Sequence, residues 1–172
     1  MTRTPHTQDS TASEPHPLGA GGDHDLGQAL VLIVDDNAQN VELLHAYLEE
    51  LQCRLGTAAD GLEALAAIDA DPPDLILLDV MMPRMSGFQA CSKIKSNPVT
   101  RDIPVVMVTA LNEVGDIERA VESGADDFLT KPVNKIELLT RVRSLLRVRL
   151  LRKELDRTLG RLRDLERGAG KD

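Results

Sequence analysis

The sequence predicts an α/β fold: a doubly wound parallel sheet of five strands covered by five helices, the last of them extended. Three observations carry this. Apolar runs at residues 30–34, 75–78, 105–108 and 128–129 lack polar alternation, as strands buried on both faces do. Segments with apolar residues at helical spacing separate the runs, which is the pattern of a sheet with crossover helices. Each run also ends on residues that can do chemistry: Asp35-Asp36, Asp79, Thr109 and Thr130-Lys131-Pro132.

Taken in order, residues 30–34 form the first strand, and Val41, Leu44, Leu48 and Leu51 mark the inner stripe of the first helix. Residues 53–58 are the second and least evident strand. Leu62, Leu65 and Ile68 give the second helix, opened by Asp60 as a cap and ended by Asp71-Pro72-Pro73. After the third strand, residues 86–97 form a helix stopped before Pro98. The fourth strand leads to a helix marked by Val114, Ile117 and Val121, with Gly124 as its C-terminal stop. The fifth strand precedes a helix whose core stripe is Leu138, Leu139, Val142, Leu145 and Leu146. Right-handed crossovers then imply the strand order 2-1-3-4-5 of flavodoxin-like sheets.

In a parallel sheet the strand ends share one rim, so Asp35, Asp36, Asp79, Thr109 and Lys131 meet at a single crevice. Three carboxylates held together repel one another unless a hard divalent cation joins them, and Mg2+ suits a few oxygen ligands with several retained waters. A carboxylate beside Mg2+, a lysine and a hydroxyl is equipped to attack phosphorus, forming an acyl phosphate on aspartate. Each residue alone reads as an ordinary cap, strand end or surface lysine. The ordered set does not.

The acid pair, the central Asp79, Thr109 followed by the small Ala110, and Lys131-Pro132 resemble the receiver domain of two-component response regulators over residues 29–147. The resemblance implies that Asp79 is the phosphoacceptor, Asp36 a direct Mg2+ ligand and Asp35 an outer or water-mediated one. It further implies a metal-binding backbone carbonyl at Met81, a Thr109 that reads the phosphoryl group, a Lys131 that pairs with it, and a cis Lys131–Pro132 peptide. The donor would be a histidine kinase or a phosphotransfer protein. Two departures bear on switching and lifetime. Phe128 stands where many receivers have tyrosine; it can rotate toward Thr109 but has no hydroxyl to donate. Met81 and Leu111 are apolar and cannot orient an attacking water, which implies a long-lived phosphoryl group unless they only pack the rim.

At 172 residues the chain suits one core with extensions. Residues 1–27 are rich in Pro, Thr, Ser, His, Gly and acids, with no apolar segment. They read as a disordered tail rather than a signal peptide, which points to the cytoplasm. His6, His16 and His24 have no paired ligands there. No apolar stretch approaches the ~20 residues that span a bilayer. Cys53 and Cys91 lack CxxC spacing and read as free thiols in a reducing compartment.

The receiver is expected at residues 28–147 and a helical extension at 148–172. In that extension Val148, Leu151, Leu155, Leu162 and Leu165 follow three-four spacing, with Thr158 at the one missing step. Such a heptad seam implies a homodimer. Gly160 falls on the outer face of the seam's register. Residues 141–172 carry 11 Lys/Arg against 5 Asp/Glu, leaving 9 against 23 elsewhere. This basic arm has no aromatic residue, zinc motif or helix-turn-helix signature, so it reads as a solvated face and nucleic-acid contact is not expected.

The function expected is a phosphorylation-controlled response regulator that signals by protein contact, because no catalytic or DNA-binding output motif follows the receiver. The alternatives are a phosphorelay intermediate and an unphosphorylated scaffold or nucleic-acid binder working through the basic helix. An enzyme with an aspartyl nucleophile would be expected to carry Asp-x-Asp at the first strand, and this chain does not.

Overall fold

The computed structural model describes residues 26–110 and 114–169. The tail expectation for residues 1–25, including its three histidines, and the position Leu111 lie outside the described residues. Strands β1 (Leu30–Val34), β2 (Arg54–Ala58), β3 (Leu75–Asp79), β4 (Val105–Thr109) and β5 (Asp127–Thr130) alternate with helices α1 (Ala38–Leu48), α2 (Gly61–Ala70), α3 (Gly87–Ser96), α4 (Val114–Glu122) and α5 (Lys135–Ala169). All strand pairs are parallel, in the order β2-β1-β3-β4-β5.

Residue parity divides the core. Val31 and Ile33 of β1, Leu75 and Leu77 of β3, and Val106 and Val108 of β4 pack with Leu44 and Leu48 of α1 and Leu138, Val142 and Leu146 of α5. Their neighbours Leu32, Val34, Ile76, Leu78, Val105 and Met107 pack on Ala64 and Ile68 of α2, Cys91 and Ile94 of α3, and Ala120 of α4. Successive strand side chains point to opposite faces, so one unbroken apolar strand feeds both layers. Each such side chain taken fully out of water is worth roughly 1.5–3 kcal/mol.

Caps fix the helix starts. Asn37 accepts hydrogen bonds from Gln39 N and Asn40 N at the start of α1, and Asp60 accepts from Leu62 N and Glu63 N at the start of α2. Ser86 and Gln89 form a capping box on α3. Gly124, with φ +86°, turns the chain out of α4, and its N–H donates to Val121 O.

Several expectations change. Leu51 lies in a 3-10 turn, Glu49–Leu51, rather than in α1. A second 3-10 turn, Leu26–Gln28, includes residues 26 and 27, which composition had assigned to the tail. The second strand starts at Arg54, one residue later than expected. Leu62 of α2 and Ile117 and Val121 of α4 are exposed; Ile68 is buried as expected, while Ala64 and Ala120 fill inner positions that the apolar spacing did not mark. β5 is an edge strand and not buried on both faces, since Phe128 and Thr130 are exposed. Cys53 is partly buried and Cys91 buried, both as free thiols. No helix among the described residues is long and apolar enough to cross a membrane.

The core stripe of α5 is as expected, with Leu138, Val142 and Leu146 fully buried and Leu145 half-buried. The helix continues without a break to Ala169. Leu150 still packs on the core, and Lys153 Nζ lies 2.5 Å from Oδ1 of buried Asp74, whose other oxygen accepts from Leu30 N. At 3.6 residues per turn, Leu146, Leu150 and Lys153 share one side. Val148, Leu151, Leu155, Leu162 and Leu165, between 50% and 69% exposed, lie on the opposite side.

Candidate functional site

The site forms where the C-terminal ends of β1, β3, β4 and β5 meet. Val34 is in register with Leu78, so the next residues, Asp35 and Asp79, come side by side. Thr109 is in register with Thr130, which places Lys131 at the same rim, and Lys131 N donates to Thr109 O at 2.8 Å. Ligand atoms of Asp35, Asp36 and Asp79 all lie within 4.8 Å of one another.

Lys131 is the internal counter-charge. Its Nζ donates to Asp35 Oδ2 and to Asp79 Oδ1, both at 3.0 Å. Asp35 is almost wholly buried and fully engaged. Its Oδ1 accepts from Asn37 N at 2.8 Å and its Oδ2 from the Asn40 amide at 3.1 Å. Asp36 is exposed and faces the crevice mouth. One ammonium among three carboxylates leaves the cluster with excess negative charge, which suits a small hard cation with oxygen ligands.

Titration follows from this arrangement. Burial pushes the Asp79 carboxyl above the usual carboxylate range; the Lys131 ammonium opposes that shift, and the charges of Asp35 and Asp36 add to it. Burial alone would lower the Lys131 ammonium, but hydrogen bonds and charge from Asp35 and Asp79 outweigh it and hold it above its ordinary value. Lys131 is therefore a fixed cation at neutral pH.

The loop after β3 borders the same crevice, directly beyond Asp79. Met81 follows Asp79 by two residues, with its side chain 66% exposed. Gly87, at the start of α3, closes the loop, because a Cβ there would fall 2.2 Å from Asp79 O. The Lys131–Pro132 peptide is cis. Thr109 is buried at the end of β4. Phe128 shares its sheet face, since residues 107 and 109 are in register with 128 and 130, but the residue is 37% exposed.

Five predicted residues thus come together: Asp35, Asp36, Asp79, Thr109 and Lys131. Phe128 lies on the same sheet face as Thr109 and is exposed, and the seam residues of α5 lie on a different element altogether. Sequence reasoning missed Asn40, whose amide reaches both oxygens of Asp35. Its signal was its place in the first turn of α1, directly beyond the acid pair. It also missed Arg84, which pairs with Asp60.

Comparison with known proteins agrees with this geometry. The family model described as response regulator receiver domain matches residues 31–143. The response regulator PleD of Caulobacter vibrioides is 53% identical over 127 residues, covering 74% of this chain and 28% of PleD. The DNA-binding dual master transcriptional regulator RpaA of a Synechocystis species is 42% identical over 117 residues, covering 68% of this chain and 48% of RpaA. The chain therefore spans less than half the length of these two relatives. Among solved structures, a two-component response regulator from Clostridium difficile superposes with TM-score 0.65 at 33% identity, covering 70% of this chain and 97% of that one. Chemotaxis protein CheY4 of Vibrio cholerae does so with TM-score 0.65 at 30% identity, covering 69% and 98%.

Proposed function

This chain belongs to the response regulator receiver family and to two-component signalling, and from that premise we propose that it is a switch that takes a phosphoryl group on Asp79. The donor is a phosphohistidine of a histidine kinase or phosphotransfer protein. A carboxylate oxygen of Asp79 attacks phosphorus, the P–N bond breaks, and the imidazole leaves with the electron pair and takes up a proton. The observation that carries this reading is the Lys131 ammonium held between Asp35 and Asp79 in a cluster of three carboxylates.

Lys131 is placed to exchange its contact with Asp79 for one to a transferred phosphoryl oxygen, and the Thr109 hydroxyl reads another. Mg2+, held by Asp36, Asp79 and the Met81 carbonyl, would neutralise charge on the transferring group. Asp35 acts from the outer shell, a role supported by its hydrogen bonds to Asn37, Asn40 and Lys131. Beside Lys131, a partly apolar cleft formed by Leu43, Tyr47, Pro132 and Val133 offers a surface for the donor.

Phe128 couples Thr109 to the surface by packing alone, and Met81 and Leu111 prolong the phosphoryl state. Output passes through protein contact, with pairing of two copies along Val148, Leu151, Leu155, Leu162 and Leu165. The switch turns over no external substrate. Its cytoplasmic setting is supported by the free thiols Cys53 and Cys91.

Mass spectrometry after incubation with acetyl phosphate and Mg2+ tests the reading. One phosphoryl group on Asp79 is expected, absent from Asp79→Asn and in EDTA. Labelling retained in that variant would overturn the assignment.

A further inference from the structure

Arg84 sits in the loop between β3 and α3 with φ +65°, a left-handed backbone seldom adopted outside glycine. Its guanidinium Nη2 pairs with Oδ2 of Asp60 and lies 3.6 Å from Oε1 of Glu63. Asp60 is 1% exposed, and its other oxygen, Oδ1, accepts from Leu62 N at 2.8 Å and Glu63 N at 3.1 Å as the cap of α2. A buried carboxylate needs both hydrogen bonds and a counter-charge, and Arg84 supplies the counter-charge from a different element.

The same stretch is fastened at neighbouring points. Met85 packs on Gly61, where a Cβ would come 2.9 Å from the methionine sulfur. Gly87 N donates to Val80 O at 3.0 Å. The loop from Met81 to Met85 thus hangs between β3 and two anchors, and the Arg84–Asp60 pair is the anchor made by charge.

We infer that Arg84 is a positioning residue for the cation site: by clamping this loop to Asp60, it holds the Met81 carbonyl in place relative to Asp36 and Asp79. The inference rests on the reading of that crevice as a Mg2+ site. It concerns a residue that touches neither the ion nor the phosphoryl group, and it explains why a non-glycine residue occupies a left-handed position. Groups that hold a metal ligand in place from outside the first shell set affinity without contacting the ion, and their removal weakens binding by roughly 10- to 100-fold.

The test is calorimetric titration of the full chain with Mg2+, together with melting temperatures in EDTA. Arg84→Gly removes the clamp while suiting the backbone, and Asp60→Asn keeps the cap of α2 but removes the charge. Each should raise the Mg2+ Kd about tenfold, the double variant should do no more than either alone, and Arg84→Lys should recover part of the loss. In EDTA, Arg84→Gly should melt below wild type because it leaves the buried Asp60 carboxylate without its counter-charge, whereas the double variant leaves no charge unpaired and should melt near wild type while still binding Mg2+ about tenfold more weakly, which a loss of affinity through unfolding would not allow. A wild-type Kd in Arg84→Gly, additive Kd losses in the double variant, or a wild-type Kd in the double variant overturns the inference. Failure of the underlying reading is separate and visible first, because wild type itself would then bind no Mg2+.

Discussion

Lys131 Nζ lies 3.0 Å from Asp79 Oδ1, joining residues 52 positions apart across the mouth of the sheet. The ammonium offsets the charge of the carboxylate proposed as the phosphoacceptor and is within reach of a group that would arrive there. Its carboxylate neighbours keep it protonated. Lys131→Ala should still fold, with some loss of stability because Asp35 and Asp79 lose their counter-charge, but slow labelling by acetyl phosphate by about 10²-fold. Initial rates from quenched samples measure this, and an unchanged rate would remove Lys131 from the transfer step.

Asp79 carries a stability cost that can be measured. Burial, with help from Asp35 and Asp36, holds its carboxyl above the ordinary range despite Lys131. The folded chain then binds more protons than the unfolded one between that ordinary range and the raised value, so stability from this group rises as pH falls through that window. At pH 7 the ionised form is the costly one. Asp79→Asn in EDTA should therefore melt above wild type at pH 7, with Lys131 still paired to Asp35. The gain should shrink as pH is lowered and wild-type Asp79 takes up its proton. A variant that melts lower than wild type at pH 7 would show that the Lys131 pair outweighs burial.

The sheet and the site were legible in the sequence for the same reason. β1, β3 and β4 are buried on both faces, so their runs are unbroken, and a polar residue directly after such a run must sit at the rim. Which apolar residues of a helix face inward was less legible. Ile117 and Val121 have helical spacing, yet Ala120 is the inward residue of α4, because a short helix with few apolar positions does not reveal which side the sheet covers. Phe128 reads as buried within an apolar run, but β5 is an edge strand that exposes one face, and nothing in a four-residue run marks an edge. In the sequence Asp60 reads only as a helix cap, and Arg84, 24 residues on, as an ordinary surface charge, until the β3–α3 loop is seen lying against α2. Asn40 likewise reads as a polar residue of the outer helix face.

The lifetime of the phosphoryl group depends on whether the rim can hold a water in line with phosphorus. Met81 is exposed and apolar, and no thioether can orient a nucleophilic water as an amide or carboxylate does. Met81→Asn combined with Leu111→Glu should shorten the half-life of labelled protein, followed by loss of label after the donor is removed. An unchanged half-life would mean that both positions only pack.

The final prediction concerns the extended helix. α5 has 35 residues, roughly 50 Å at 1.5 Å per residue, and its two sides make different demands. The side with Leu150 and Lys153 is held to the receiver through the core and Asp74. The other side exposes Val148, Leu151, Leu155, Leu162 and Leu165, with Leu159 beside them at 40% exposure. Because the two sides are opposed, pairing along the leucine strip need not detach the helix from its own receiver. A contiguous apolar strip of this kind marks an association surface, and its heptad spacing selects a second helix of the same kind. Flanking charges temper the affinity: in a parallel pair Arg161 would meet Glu166, but Arg147 would meet Arg152, so the dimer is expected to be modest and salt-sensitive. Light scattering should give a dimer for the full chain and a monomer for a variant ending at Arg147. Leu155→Glu with Leu162→Glu should give a monomer that still accepts label on Asp79, since the strip lies far along α5 from the rim. If the full chain is monomeric both with and without a phosphoryl analogue, the leucine strip does not pair with a second copy.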